Sequence, residues 1–457
     1  MAGISIELKR KLSGRKLSSI FQTFAYSAFL SSGAWVISIL SIILASYIAA
    51  RLIQDKSIVL KFQTSVTYLI AFSLILSGPF QLYFSRFAAD RIFEKDYKNI
   101  LPNFMGLIVF NMTIGFILYL PLSIFLFRNV SAIYTLISLF SFVILCGMWI
   151  ATSLFTALKS YNFIVYSFIL GYAVTILMVG FLGHFGLNLL MFAFFVGQTI
   201  IFIFMVSAII YNYPSDKIIS FDFLKKKNIY ISLIFTGFFY NLGIWADKFV
   251  FWFSPITGNT VFAHLRASAV YDAPIFLAYL SIVPGMAVFF LKLEGEFAGY
   301  YEEYYRAVIE GKTIEEIYNA GNKMISSARG VFFDVMRIQA IADIILILFM
   351  NDPVFKLFGI SLVYIPLFHI LLVGTMLQLL FIVAIGFLFY FDKRNASLFS
   401  SMVFFLLNLT LSIITVNMGP YYYGYGYAVS LLISIIISVI FIRRFLNEIH
   451  YYTYMFI

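Results

Sequence analysis

Charge is scarce in this chain. Only 11% of its 457 residues are charged and 62% are hydrophobic, where an average soluble domain carries roughly 25% charged residues. No water-soluble core of this length encloses so much apolar surface, which excludes an ordinary globular enzyme. Cysteine is nearly absent. The lone Cys146 lies in the apolar run 139–158, which excludes an intrachain disulfide and a multi-cysteine metal centre. The four histidines (His184, His264, His369 and His450) are far apart in sequence and none has HExxH or related spacing, so no metal centre is expected. GxxxxGK[ST] is missing as well, and with it the phosphate cradle of a nucleotide-driven pump. No catalytic residue and no cofactor is assigned. Acidic residues are outnumbered by basic ones, leaving a net charge of +10. The basic residues form short scattered clusters rather than one stripe, which argues against nucleic acid as a partner.

Long apolar runs are what the chain does have. A spanning helix needs about 20 mostly apolar residues, because each rises about 1.5 Å through about 30 Å of hydrocarbon. Twelve segments meet this, near 20–48, 62–84, 101–127, 131–157, 163–182, 187–212, 229–251, 270–291, 331–350, 360–390, 396–417 and 426–442. The first follows a basic start (Lys9, Arg10, Lys11, Arg15, Lys16) and has no charge from Leu17 to Ala50. That exceeds the roughly 7–15 apolar residues of a cleaved signal peptide, so it reads as a retained span. Residues 1–19 read as an amphipathic segment on the cytoplasmic face.

The distribution of positive charge tests the count, since a missed span would invert every later loop. With both termini inside, 23 of the 31 Lys and Arg residues fall on the cytoplasmic side and seven outside, with Arg337 left within a span. The expectation is therefore an all-α polytopic membrane protein, N-in/C-in, with two six-helix lobes. The first lobe covers 20–212, a polar linker covers 213–228, the second lobe covers 229–450, and 451–457 is a cytoplasmic tail. Two such lobes suit transporters built from repeats, with a substrate path between them. Within the second lobe, 292–329 reads as a cytoplasmic helix–turn–helix insert, turning at Gly311 and restarting on a Thr313–Glu316 capping box.

Ionisable groups inside a bilayer are expensive and mark paths or relays. The first lobe has almost none. The second carries Asp247, Lys248, Asp272, Asp334, Arg337 and Asp343 in or at the ends of spans. Asp334 and Arg337 are i, i+3 neighbours able to pair locally, while Asp343 lies deeper and has no basic neighbour on its helix. Asp247, Lys248 and Asp272 fall near outer span ends, where solvent exposure is expected. Pro284, in Ser281-Ile-Val-Pro-Gly285, should break the eighth span and free backbone carbonyls, a feature tolerated where it lines a cavity or finds partners. The run Tyr421-Tyr-Tyr-Gly-Tyr-Gly-Tyr427 reads as an interfacial tyrosine belt.

Several blocks resemble a known family. They begin at Met1-Ala-Gly-Ile-Ser-Ile-Glu-Leu8 and Ser32-Gly-Ala-Trp35, and resume at Ser85-Arg-Phe-Ala-Ala-Asp-Arg91 with Ile100-Leu-Pro102. The longest are Tyr240-Asn-Leu-Gly-Ile-Trp-Ala-Asp-Lys248 with Phe251-Trp-Phe-Ser-Pro255, and Tyr271-Asp-Ala-Pro-Ile-Phe-Leu-Ala-Tyr-Leu-Ser-Ile-Val-Pro-Gly-Met-Ala287. Gly419-Pro420 with Tyr423-Gly-Tyr-Gly426 closes the series. Together they resemble the PelG family of inner-membrane transporters in Pel exopolysaccharide systems, relatives of the multidrug/oligosaccharidyl-lipid/polysaccharide flippases. Ala34 departs from the family pattern, which has proline after the Ser-Gly pair. The resemblance implies export of an N-acetylgalactosamine-rich polymer across the bacterial cytoplasmic membrane as the glycosyltransferase PelF makes it, in complex with PelD and PelE, PelD being the subunit that senses cyclic di-GMP. Two alternatives stay open: an ion-coupled flippase or drug antiporter of the same fold, and a scaffold that activates the glycosyltransferase through the 292–329 insert.

Overall fold

The structure, a computed structural model, describes residues 17–225 and 229–455; residues 1–16 of the expected amphipathic segment lie outside the described residues. In hydrocarbon a backbone must satisfy its own hydrogen bonds, so the apolar runs become helices. They are α1 (Leu17–Leu52), α2 (Lys56–Phe93), α3 (Ile100–Leu126), α4 (Ala132–Ala157), α5 (Tyr161–Leu182), α6 (Leu187–Asn212) and α7 (Ile231–Phe253). After a hairpin of β1 (Asn259–Phe262) and β2 (Leu265–Ala267) come α8 (Asp272–Leu280), α9 (Val283–Lys292), α10 (Ala298–Ile309), α11 (Ile314–Ile345) and α12 (Asn351–Phe358). α13 (Ile365–Tyr390), α14 (Arg394–Met418), α15 (Tyr425–Asn447) and α16 (Ile449–Met455) complete the described chain. Side-chain oxygens accept from the unpaired amides at the helix starts: Asp55 accepts from the Ser57 amide, Ser131 from the Tyr134 amide, and Thr313 and Glu316 close a reciprocal box.

Among the described residues, ten stretches are long and apolar enough to cross a membrane. The two other expected spans, 229–251 and 331–350, fall on α7 and α11, whose charged side chains dilute their apolar character. The expected eighth span is α8 and α9. It continues through a π-helical turn, Leu293–Phe297, into α10, and α11 runs unbroken from the insert into the ninth span. The insert is thus continuous with membrane-spanning helix at both ends, its turn made at Gly311 with φ +64°.

By contact the chain divides into two compact units, Gly33–Ala269 and a second formed by Val270–Ile457 with the start of α1. In the first unit α2 packs against α4 and α7, α4 against α3 and α6, and α5 against α6. No hydrophobic force drives helices together in lipid, so close backbone approach and small polar groups decide the packing. At the α2–α7 crossing, a Cβ on Gly237 would stand 2.1 Å from the Gly78 carbonyl oxygen. Asn111 donates to Ser77 Oγ (3.0 Å) and the Cys146 carbonyl (2.9 Å), Trp149 to Ser73 Oγ (2.9 Å), and Ser153 to the Gln81 carbonyl (2.7 Å). The hairpin, unforeseen in the sequence, is tied to α2: the Tyr68 hydroxyl donates to the Arg266 carbonyl at 2.9 Å, and the Arg266 guanidinium donates to the Gly258 carbonyl at 2.6 Å.

The linker is anchored to this unit. Phe223 is fully buried against Tyr83, Phe84 and Phe110. Its amide donates to Asn103 Oδ1 (3.2 Å), and the Ser220 amide donates to the Pro102 carbonyl (2.9 Å). Lys225 and then Ser220, beside Asp222, hold its carboxyl down to about 2. The family blocks at Ser85–Arg91 and Ile100–Pro102 lie at this anchor. Arg86 pairs with Asp90 at 3.1 Å, and the Tyr230 hydroxyl donates to Asp90 at 2.8 Å.

Candidate functional site

Pro284 does break the eighth span. Lacking an N–H, it cannot continue α8 and instead stands in the first turn of α9, a position that suits its fixed φ. The break spans Ser281 and Ile282 and leaves a carbonyl and a helix-start amide inside the unit Val270–Ile457. One side chain on α11 takes both. Gln339 Nε2 donates to the Ser281 carbonyl at 3.0 Å, and Gln339 Oε1 accepts from the Gly285 amide at 3.2 Å. Its second amide hydrogen goes to Asp343 Oδ1 at 2.8 Å. Gln339 is wholly buried and Asp343 is 4% exposed. Asp343 Oδ2 is buried and makes no hydrogen bond among the described residues. The broken helix, the glutamine and the aspartate therefore form one polar cluster with an acceptor to spare.

Further along α11, Asp334 lies about 14 Å from Asp343 at 1.5 Å per residue. The expected local pair with Arg337 is stretched to 3.9 Å, and Arg337 is largely exposed. The nearer partner of Asp334 is Lys292, at the end of α9, at 3.2 Å. Lys292 also holds Glu296 at 2.9 Å. Asp334 thus joins α11 to α9 rather than pairing within its own helix, since Lys292 reaches it at shorter range. Asp272 begins α8 and is half-buried, where a negative charge complements the helix N-terminus.

Asp247 and Lys248 correct the expectation of solvent exposure. They are 0% and 1% exposed and belong to the other unit, Gly33–Ala269. Lys248 Nζ bonds Asp247 Oδ1 and Oδ2 at 3.2 and 3.1 Å and donates to the Ile244 carbonyl at 2.9 Å. The aromatic seam where α7 meets α2 explains the burial: Tyr68 stacks on Trp252 at 4.7 Å and Phe72 on Phe249 at 5.4 Å. Those contacts carry the packed part of α7 past the charges to its last turn.

Sequence reasoning picked Pro284 and Asp343, which the structure unites, and missed Gln339, which unites them. An uncharged amide costs too little in a bilayer to stand out in a charge survey. The signal that could have found it is its i, i+4 spacing from Asp343.

Three solved transporters give the fold. An outward-facing multidrug resistance MATE family transporter of the MOP superfamily is 14% identical, with 93% of this chain and 95% of that one covered and a TM-score of 0.66. A MOP superfamily transporter from Pyrococcus furiosus is 14% identical over the same shares, with a TM-score of 0.65. A MATE transporter in the bent conformation is 13% identical, again over 93% and 95%, with a TM-score of 0.65. The fold is that of a two-lobe, twelve-span MATE-type membrane transporter. Comparison with curated proteins finds no match. The family described as "PelG: Putative exopolysaccharide Exporter (EPS-E)" matches residues 1–454, and the chain belongs to the PelG family.

Proposed function

We propose that this chain is a non-enzymatic transporter that exports a nascent Pel-type, N-acetylgalactosamine-rich exopolysaccharide across the bacterial cytoplasmic membrane. The observation that carries this reading is family membership over residues 1–454, on a chain with the fold of a membrane transporter. In this reading both termini face the cytoplasm, as the 23 to seven split of basic residues favours. The glycosyltransferase PelF feeds the chain, in complex with PelD and PelE. The polar groups of the second six spans supply hydrogen-bonding capacity to the path, and the buried cluster at Ser281, Gln339 and Asp343 holds the broken helix among them. Deleting the gene should leave polymer synthesis intact in membranes and abolish polymer outside the cell. Undiminished external polymer in the deletion strain would overturn the proposal.

The likeness to multidrug transporters favours a second reading, an ion-coupled flippase or antiporter. In that case collapsing the proton gradient stops transport in reconstituted vesicles and Asp343→Asn abolishes it. The first reading does not require this coupling, since a continuous path beside an elongating chain needs no rocking.

A further inference from the structure

The unit Gly33–Ala269 contains a cavity of about 560 Å³ that the transport reading does not use. It lies among the ends of α4 and α6, the start of α5 and the turn leading into α3. Its size is that of a small-molecule ligand pocket. Its lining combines apolar Phe155, Phe163 and Ile209 with polar Lys98, Ser160 and Asn212. Among the described residues, Lys98 is the sole ionic side chain in the lining. The nearest carboxylate in sequence, Asp96, is engaged elsewhere, by Asn99 at 2.8 and 3.0 Å and by Arg91 at 3.5 Å.

The backbone adds a second observation. Lys95 and Lys159 take φ +59° and +56°, a left-handed conformation that costs a non-glycine residue roughly 1–2 kcal/mol. They sit on the two turns that flank the cavity, one between α2 and α3 and the other between α4 and α5. Lysine therefore stands at both places where glycine would be less strained, and each of the two turns that supply lining residues carries a positive charge. The cavity also lies at the end of these helices where basic residues gather, the end expected to meet anionic lipid.

We infer that this cavity binds the phosphate headgroup of an anionic phospholipid, with Lys98, Ser160 and Asn212 on the phosphate and glycerol and the aromatic wall against the first methylenes of the chains. A soluble phosphate ester would share the polar contacts but leave the apolar wall unused.

The test is native mass spectrometry of the full chain in detergent, titrated with phosphatidylglycerol or phosphatidylcholine of the same chains. The parent should retain phosphatidylglycerol preferentially. Lys98→Ala should weaken that binding about fivefold, the factor for one lysine at an anionic surface, and Lys98→Arg should restore it. Ala208→Trp, on the cavity wall, should abolish it, while Lys312→Ala in the insert turn, which belongs to the other unit, should change nothing. Equal retention of the two lipids, or equal behaviour of Lys98→Ala and Lys312→Ala, overturns the inference. Displacement of the lipid by millimolar inorganic phosphate at constant ionic strength overturns it in favour of a soluble ligand.

Discussion

Replacing Gln339 tests whether the break at Pro284 is held shut by a single side chain. Gln339→Ala removes hydrogen bonds of 3.0 Å to the Ser281 carbonyl, 3.2 Å from the Gly285 amide and 2.8 Å to Asp343. Interhelical side-chain bonds in membranes average about 0.6 kcal/mol and reach about 1.7 kcal/mol. A buried polar group left without a partner costs about 1–3 kcal/mol. Two backbone groups and one carboxylate oxygen are stranded here at once, so the loss should be about 3 kcal/mol. Unfolding in mixed micelles by dodecyl sulfate measures it. The readout should be far-UV circular dichroism, because all four tryptophans (Trp35, Trp149, Trp245, Trp252) lie in the other unit.

Gly285→Ala sharpens the test. Its Cβ would stand 2.3 Å from Leu379 Cδ2 and 2.7 Å from Gln339 Oε1, an overpacking that costs about 1–3 kcal/mol. With Gln339 already truncated, one of the two obstacles is gone, so the double variant should be more stable than the sum of the singles by about 1 kcal/mol. Gln339→Met, similar in length but without the polar atoms, should be nearly as destabilised as Gln339→Ala. If Gln339→Met unfolds with the parent, shape and not hydrogen bonding holds the break, and the reasoning fails.

Three other perturbations follow from the packing. Lys248→Met should cost about 3–5 kcal/mol by stranding a buried Asp247, and adding Asp247→Asn should recover much of it; equal stability of the single variant by the same unfolding assay contradicts the buried pair. Gly237→Val should separate α2 from α7, since even a Cβ meets the Gly78 carbonyl oxygen at 2.1 Å, and the yield of monodisperse protein on size exclusion should collapse, whereas Gly295→Ala, which meets nothing within 4 Å, should leave it intact. Phe223→Ala should cost about 3–5 kcal/mol and open residues 213–225 to protease; because the Asp222 carboxyl is held at about 2 against an ordinary 3.8, its contribution is present above about pH 4 and fades as pH falls toward 2, so parent linker cleavage by an acid-active protease should rise over that window, and a flat profile refutes the anchor.

Span positions were legible because hydrocarbon thickness imposes a length that few other constraints imitate. The basic residues gave an independent check on the number. The hairpin at 259–267 was not legible: its strands are four and three residues long, too short for alternation to register, and its place is set by a tertiary contact, Tyr68 with Arg266. Asp247 and Lys248 were misplaced because charge near a presumed span end reads as interfacial. Their burial depends on the aromatic seam with α2, a partner some 180 residues earlier in the chain.

α11 carries the clearest lesson about reading charge alone. Asp334 and Arg337 read as a local pair and Asp343 as a deeper carboxylate with no basic partner, and in the structure the environments of all three diverge. The buried stripe of α11 runs Val331, Val335, Gln339, Asp343 at four-residue spacing, which puts all four on one face. Asp343 is on that stripe and Asp334 and Arg337 are off it, so Asp343 meets the broken helix, Asp334 meets Lys292 and Arg337 is exposed. The periodicity was present in the sequence. Combined with the proline at 284, it specifies what the face must do: a helix that buries Gln and Asp in line with two valines has to meet exposed backbone on its neighbour, and the helix broken by Pro284 supplies that backbone.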